Sequence, residues 1–255
     1  RVIKMCQGNQ LLLMKVQKIN ITDSAVFISD LHLTDNVSNN LFLNFLEHSS
    51  DLTNNLFILG DLFDYWVGDD SGMYSKEIGA LSRLGEQKNI YFIHGNRDFL
   101  IGKKFFRENQ ITILDDETRI TLGHHQVLLM HGDTLCSDDK DYQAFRKEVR
   151  SKKWQENFLA KKLDERIKIA IDLREQSKKL NLNKPENIID VNEKTVNSVI
   201  EKNLPIEILI HGHTHRQNTH RYKAFTRFVL GDWKENQGNY LIWKEAESFE
   251  FKTFT

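Results

Sequence analysis

Short apolar runs that stop at clusters of Asp, His, Asn and Gly constrain this chain more than any other feature. Candidate strands cover residues 25–29, 56–59, 90–94, 111–114, 119–122, 126–130, 206–210, 225–230 and 240–243, most of them four to six residues long, as buried strands are. Between them, residues 39–48, 73–87 and 191–203 carry apolar positions at helical spacing, and Gly123 between two alternating runs predicts a hairpin turn. Strands alternating with helices predict an α/β fold of layered mixed β-sheets flanked by helices. With 255 residues, 40% of them hydrophobic and 28% charged, the chain can bury a substantial core and lacks the signature of disorder.

Five of the runs end in polar words: Ser29-Asp30-Leu31-His32, Gly60-Asp61, Gly95-Asn96-Arg97-Asp98, His131-Gly132-Asp133 and His211-Gly212-His213-Thr214-His215. In open α/β sheets ligands bind at the carboxyl ends of strands, so residues far apart in sequence can meet in one cleft. Asp30, His32, Asp61, Asn96, His131, His211 and His213 form a donor set of hard oxygens and borderline imidazoles. Such a set suits two neighbouring divalent cations, with Mn, Fe or Zn favoured over Ca or Cu(I) and one carboxylate bridging. Residues two apart on extended chain face the same side, which is the reason for pairing Asp30 with His32 and His211 with His213.

In their order, these words resemble the calcineurin-like metallophosphoesterase superfamily. The stretches GDLFDYWVGDD at Gly60–Asp70, GNRDFLIG at Gly95–Gly102, HGDTLCSDD at His131–Asp139 and HGHTHR at His211–Arg216 are similar to the pyrophosphohydrolases of lipid A synthesis within it. The resemblance implies two Mn2+ ions per subunit. It gives Asp30, His32, Asp61 and His213 to one, and Asp61, Asn96, His131 and His211 to the other. Asp61, Asn96, Arg97 and His131 become the catalytic set. Asn96, Arg97, Asp139, Ser177, Asn181, Lys184 and His211 become substrate contacts, with Tyr142, Arg166 and Arg174 as further candidates. The implied reaction is attack of a water, acidified by the two cations, on the α-phosphorus of UDP-2,3-diacylglucosamine, giving UMP and 2,3-diacylglucosamine 1-phosphate. Many members of the superfamily carry His where this chain has Arg97. A departing phosphate monoester, with a second pKa of about 6, needs no acid and gains more from a fixed cation.

Charge patterning adds one element. The formal net charge is −1, yet residues 146–184 hold 13 Lys and Arg against six Asp and Glu. Apolar residues in this block, Trp154 with Phe158 and then Leu159, Leu163, Ile167 and Ile171, recur four apart and predict amphipathic helices. The expected organisation is a metallophosphoesterase domain over residues 20–255 with a basic helical cap inserted at 138–184, and an extension at 1–14. No apolar run approaches the ~20 residues of a spanning helix, and no secretory signal is read at the start. The expected location is the cytoplasm, with peripheral attachment to the cytoplasmic face of the inner membrane. The basic block lacks interleaved aromatic stacking residues, which argues against a nucleic-acid partner.

Other conspicuous side chains have plainer readings. His94 is expected to face core, and His48, His124, His125 and His220 surfaces. Cys136 beside His131 is not read as a nucleophile, because a Cys–His pair would leave the other donors without purpose. His215, Asp64, Asp69 and Asp70 are read as residues that orient ligands or cap turns. Two competing functions remain at this point: a general phosphodiesterase or nucleotide pyrophosphatase of the same fold, and a non-catalytic binding scaffold.

Overall fold

The alternation of side chains along the strands decides the architecture. In the computed structural model, which describes residues 19–35, 37–182, 184–245 and 247–255, Ala25 and Phe27 face one core while Val26 and Ile28 face another. The same split separates Phe57 and Leu59 from Leu56 and Ile58, and Val127 and Leu129 from Leu128 and Met130. Strands apolar on both faces need a layer on each side. The result is two sheets back to back with helices outside both.

One sheet has the order β12-β11-β2-β3-β4-β5, formed by β2 (Ser24–Ile28), β3 (Asn55–Ile58), β4 (Asn89–Ile93), β5 (Ile111–Leu114), β11 (Gly238–Lys244) and β12 (Glu247–Phe254). Its β2 to β5 are parallel. They are linked by α1 (Asn40–Leu52), α2 (Ser75–Gly85) and α3 (Lys103–Glu108). The other sheet has the order β1-β6-β7-β8-β10-β9, from β1 (Asn20–Ile21), β6 (Thr118–Leu122), β7 (His125–Leu129), β8 (Ile208–His211), β9 (Asn218–Arg221) and β10 (Thr226–Val229). Here β7, β8 and β10 run parallel, and β6–β7 is the hairpin predicted at Gly123. Between the sheets, Phe57 stacks on Phe27 at 4.9 Å and on Tyr91 at 4.5 Å. The fully buried rings of Phe27 and Phe57 each contribute about 1.5–3 kcal/mol by burial alone. Outside the second sheet, α8 (Glu193–Lys202) lays Val196 and Ile200 on Leu128 and Leu209.

The predicted strands and the three predicted helices are present with ends shifted by a few residues. Among the elements that carried no apolar run are β1, α3, the polar edge strand β9, and β12, whose period-2 signal is confined to Phe249 and Phe251. Residues 1–14, read as an extension, lie outside the described residues.

Between β7 and β8 the chain leaves the sheets for α4 (Lys140–Val149), α5 (Lys152–Leu159), α6 (Leu163–Leu182) and α7 (Glu186–Ile189). The Asp139 carboxylate caps α4 by accepting from the Tyr142 N–H at 3.1 Å, and Ser151 Oγ caps α5 by accepting from the Trp154 N–H at 3.3 Å. Trp154, Phe158, Leu163 and Ile167 pack against the helical core of the first sheet. The predicted stripe does not extend to Leu159 and Ile171, which are 41% and 40% exposed. The break between α5 and α6 resets the helical phase at Leu159, and within α6 two four-residue steps from Leu163 overshoot the 3.6-residue period and carry Ile171 off the buried face. Arg166, buried on α6, donates to Val67 O at 2.5 Å and forks onto Asp70 at 2.7 and 2.6 Å. It pins α6 to the loop after β3 and is not among the residues lining the cavity described below. Arg166→Met is expected to cost about 1.5–3 kcal/mol and lower Tm by roughly 3–10 °C. A thermal melt identical to that of the parent would contradict this pinning role.

Candidate metal centre

All five polar words lie just beyond strand ends, and the backbone there turns in a way ordinary side chains resist. Asp30 (φ 57°), His32 (φ 50°), Asp61 (φ 52°), His213 (φ 67°) and His215 (φ 58°) all sit in the left-handed region. Each such residue costs on the order of 1–3 kcal/mol and persists only where its surroundings fix it. Here they do. The Asp30 N–H donates to Gly60 O at 3.1 Å and the His32 N–H to Asp61 O at 3.1 Å. The Arg97 N–H donates to Asp61 Oδ1 at 2.9 Å, and the His213 N–H to Asp30 Oδ2 at 2.8 Å. Gly95 and Gly212 are required by close approach: a Cβ would lie 2.1 Å from Asp61 Oδ1 and from Ser29 Oγ, respectively.

The donor atoms form two overlapping groups. Asp30, His32 and His215 bring one ligand atom each within 4.8 Å of one another, and so do Asp30, Asp61 and His131. His131 Nδ1 bonds to Leu59 O at 2.8 Å, so Nδ1 carries the hydrogen and the Nε2 lone pair faces the site. Asn96 Oδ1 lies 2.9 Å from that Nε2 and 2.8 Å from His213 Nδ1, which joins Asn96, His131 and His213. Asp30 Oδ1 and His32 Nδ1 are buried without a hydrogen bond. Oxygens and imidazoles converging with unsatisfied lone pairs fit a divalent cation.

His215, read from the sequence as a residue that orients ligands, stands with Asp30 and His32, its Nε2 3.3 Å from Asp30 Oδ1 and 3.2 Å from His32 Nε2. His213 lies beside them, its N–H on Asp30 Oδ2 and its Nδ1 on Asn96 Oδ1. His211 is fully buried at the end of β8, with Nδ1 2.9 Å from Gly212 O and Nε2 3.3 Å from Arg227 Nη1.

The electrostatics keep His32 and His213 neutral, the form in which imidazole ligates, and draw positive charge onto His131. Burial lowers the pKa of His32 and of His213 to about 4, overriding nearby carboxylates. Burial also acts against a charge on His131, yet Asp61, Asp30 and Asp133 hold it up at about 9, a measure of how strongly the site calls for positive charge. For Asp30, burial acts upward but is outweighed by His215, His131 and His32, which drive the pKa well below the usual range. Two carboxylates escaped the sequence reading as parts of this machinery. Asp98, raised to about 7 by burial and by Asp61, accepts from the Leu62 and Gly95 N–H groups at 2.8 and 2.7 Å and ties two of the loops together. Asp133 accepts from Tyr142 Oη at 2.8 Å and Arg146 Nε at 2.6 Å, while the Tyr142 ring lies 5.7 Å from His213. Their only sequence signal was membership of the words GNRD and HGD.

Beside the centre a cavity of about 270 Å3 opens between these loops and α4 to α6. Its apolar walls include Phe99, Leu100, Val149, Trp154, Phe158 and Leu173, and its polar rim includes Asn96, Arg97, Tyr142, Arg174, Ser177 and Lys184. Arg97 Nε lies 3.4 Å from Asp61 Oδ2, and Asp64 stands between Arg97 and Arg174, 3.8 Å from Arg97 Nη1 and in direct contact with Arg174 Nη1. Lys184 Nζ donates to both Asp139 oxygens at 2.7 and 2.6 Å, so these two predicted contacts hold each other. Asn181 falls in the last turn of α6, and its side chain is outside the described residues. His94 packs on Phe92 and Phe106, and Cys136 is buried, its thiol pushed up to about 12 by burial.

A two-sheet sandwich with carboxylates, imidazoles and one amide gathered at its strand ends defines a metal-dependent phosphoesterase. The chain matches calcineurin-like phosphoesterase over residues 24–217 and belongs to that family. Among its curated relatives are the UDP-2,3-diacylglucosamine hydrolases of Haemophilus influenzae strain PittGG, 41% identical over 88% of this chain and 97% of the relative, and of Histophilus somni strain 2336, 44% identical over 88% and 97%. That of Edwardsiella ictaluri strain 93-146 is 41% identical over 91% and 96%.

The histidine environment generates a pH prediction for the metal-free protein. His32, His94 and His213 titrate near 4 and His211 near 3, mainly through burial, against 6.5 for the ordinary residue. Between pH 6.5 and about 4 the unfolded chain binds protons these sites refuse, so stability is present above 6.5 and falls as pH drops. Upward shifts at His131, His215, Asp98, Asp64 and Asp116 act the other way, so a single histidine away from the donors isolates the effect. The difference in Tm between the parent and His94→Gln is expected to fall from pH 7 to pH 5 in thermal melts with chelator; a difference that is flat or rises over that range would contradict the assignment.

Proposed function

We propose that this chain hydrolyses the pyrophosphate of UDP-2,3-diacylglucosamine, releasing UMP and 2,3-diacylglucosamine 1-phosphate. The observation that carries the reading is the cavity: apolar walls suited to acyl chains open directly onto Asn96 and Arg97 at the candidate metal centre, with Arg174 and Lys184 at the rim. A general phosphodiesterase has no use for such walls. A non-catalytic scaffold has no use for a full donor set.

In this proposal Asp30, His32 and Asp61 hold one divalent cation and Asp61, Asn96 and His131 a second, with His211, His213 and His215 completing the two sites, Mn2+ being the first choice and Fe or Zn the alternatives. Such ions supply Lewis-acid neutralisation of phosphoryl charge and activation of water. The chain's own groups do the rest. The Arg97 guanidinium, fixed beside Asp61 and Asp64, neutralises charge that develops as an oxygen–phosphorus bond forms at the α-phosphorus and the bond to the departing sugar phosphate breaks. That departing group leaves as an anion and takes no proton from the protein. Arg174 and Lys184 meet the remaining phosphate charge, and Tyr142 keeps His213 in place through Asp133 and ring contact. Segment 138–184 acts as the cap that shapes the acyl pocket. Its lysines, with exposed Leu159, Ile171 and Leu180, fit peripheral attachment to an anionic membrane surface. No helix among the described residues is long and apolar enough to cross one.

The test compares UMP release from diacylated and fully deacylated UDP-glucosamine. The proposal expects turnover to depend on the acyl chains, and equal kcat/KM for both would sink it. With the diacylated substrate, Arg97→Ala is expected to lower kcat/KM by roughly 100- to 1000-fold, the size of losing one fixed transition-state contact. A loss below tenfold would remove Arg97 from the chemistry.

A further inference from the structure

We propose that Arg146, on the face of α4 turned toward the candidate metal centre, is a positioning residue for His131, which it holds through the carboxylates of Asp116 and Asp133. The inference rests on the metal reading above and adds to it three groups that touch neither cation in that reading.

The spacing along α4 starts the argument. Tyr142, Arg146 and Arg150 are four residues apart, so one helix face carries all three. Tyr142 Oη and Arg146 Nε donate to Asp133 Oδ2 at 2.8 and 2.6 Å, and Arg150 Nη2 donates to Gly95 O at 2.8 Å, next to Asn96. Gln143 Nε2 adds bonds to Asp133 O at 2.8 Å and Cys136 O at 3.1 Å. The first two basic residues of the cap therefore point inward and grip the loops that carry candidate ligands.

Arg146 reaches both sides of His131. Its Nη2 lies 3.7 Å from Asp116 Oδ2, and Asp116 Oδ1 accepts from the His131 N–H at 3.1 Å. Asp133 follows two residues later, across Gly132 at φ 113°, a backbone that no Cβ stiffens. The strand ladder of β7 ends at Leu129. Beyond it the His131 carbonyl accepts from the Gly212 N–H at 2.9 Å, while the His131 N–H depends on Asp116. The ring is turned by its Nδ1 bond to Leu59 O, so the place of Nε2 in the site is decided by the backbone from which the ring hangs. A rigid guanidinium fixes two carboxylates relative to each other, which an ammonium cannot do. Without it, wholly buried Asp133 and half-buried Asp116 lose the cation they share. Asp116 then turns toward water and releases the His131 N–H.

The experiment is Mn2+ titration of the full chain, reading free Mn2+ by electron paramagnetic resonance, with thermal melts to establish folding. Arg146→Met and Asp116→Ala are each expected to weaken one of two ions about 10- to 100-fold, the range for partners that orient ligands from outside, and to leave the other within about threefold of the parent. Combining them is expected to weaken that ion less than about threefold beyond Arg146→Met, because both break one chain of contacts. Asp116→Asn, whose amide oxygen still accepts from the His131 N–H, is expected to stay within about threefold of the parent for both ions. Parental affinity for both ions in folded Arg146→Met would overturn the inference. Equal weakening of both would do so too, since that is the behaviour of a residue that merely supports the fold. Should Arg146→Met fail to fold, equal binding by Asp116→Ala and Asp116→Asn would overturn it alone. A parent chain that binds fewer than two Mn2+ would instead sink the metal reading, and this inference with it.

Discussion

Of the hydrogen bonds that join the two halves of the site, one ties a backbone N–H directly to a candidate ligand. The His213 N–H, from the loop after β8 in one sheet, donates to the Asp30 carboxylate after β2 in the other. Across that bond the donors of separate sheets come within ligand distance, and with it five side chains are kept in left-handed backbone that costs on the order of 1–3 kcal/mol apiece. The core between the sheets supplies the rigidity that makes this strain sustainable: Phe27, Phe57 and Tyr91 stack directly beneath strands whose ends carry Asp30, Asp61 and Asn96. A loosely packed sandwich would relax the turns and separate the donors.

Charge is arranged in two tiers around that bond. Acidic groups, Asp30 and Asp133 held ionised by their partners, lie deep. Guanidiniums, Arg97 and Arg174 about Asp64, lie at the mouth. The deep tier calls for cations and the outer tier for phosphate, and an apolar cavity continues from the outer tier under α4 to α6. This order, from cation donors through phosphate-facing groups to apolar wall, follows the chemistry of a lipid-bearing pyrophosphate from its reacting centre outward.

Much of this was legible in the chain. The alternating apolar runs announced strands buried on both faces, and the polar words at their ends located the donors, because strand ends are where a sheet exposes side chains to a ligand. What escaped was detail beyond the strand. His215 joins Asp30 and His32 because left-handed turns, not extended chain, follow β8. The helical stripe failed at Leu159, the last residue of α5, and at Ile171, where two four-residue steps along α6 have overshot the 3.6-residue period. Asp98 and Asp133 were invisible as anchors because their partners, the Gly95 N–H, Tyr142 and Arg146, are brought to them only by the fold.

The central claim is that Asp61 stands between two cations gathered from five strand ends. Anomalous diffraction from crystals grown with Mn2+ tests it most directly. The account predicts two peaks flanking Asp61, one beside Asp30 and His32 and one beside Asn96 and His131. No peak, or a single peak, would contradict it.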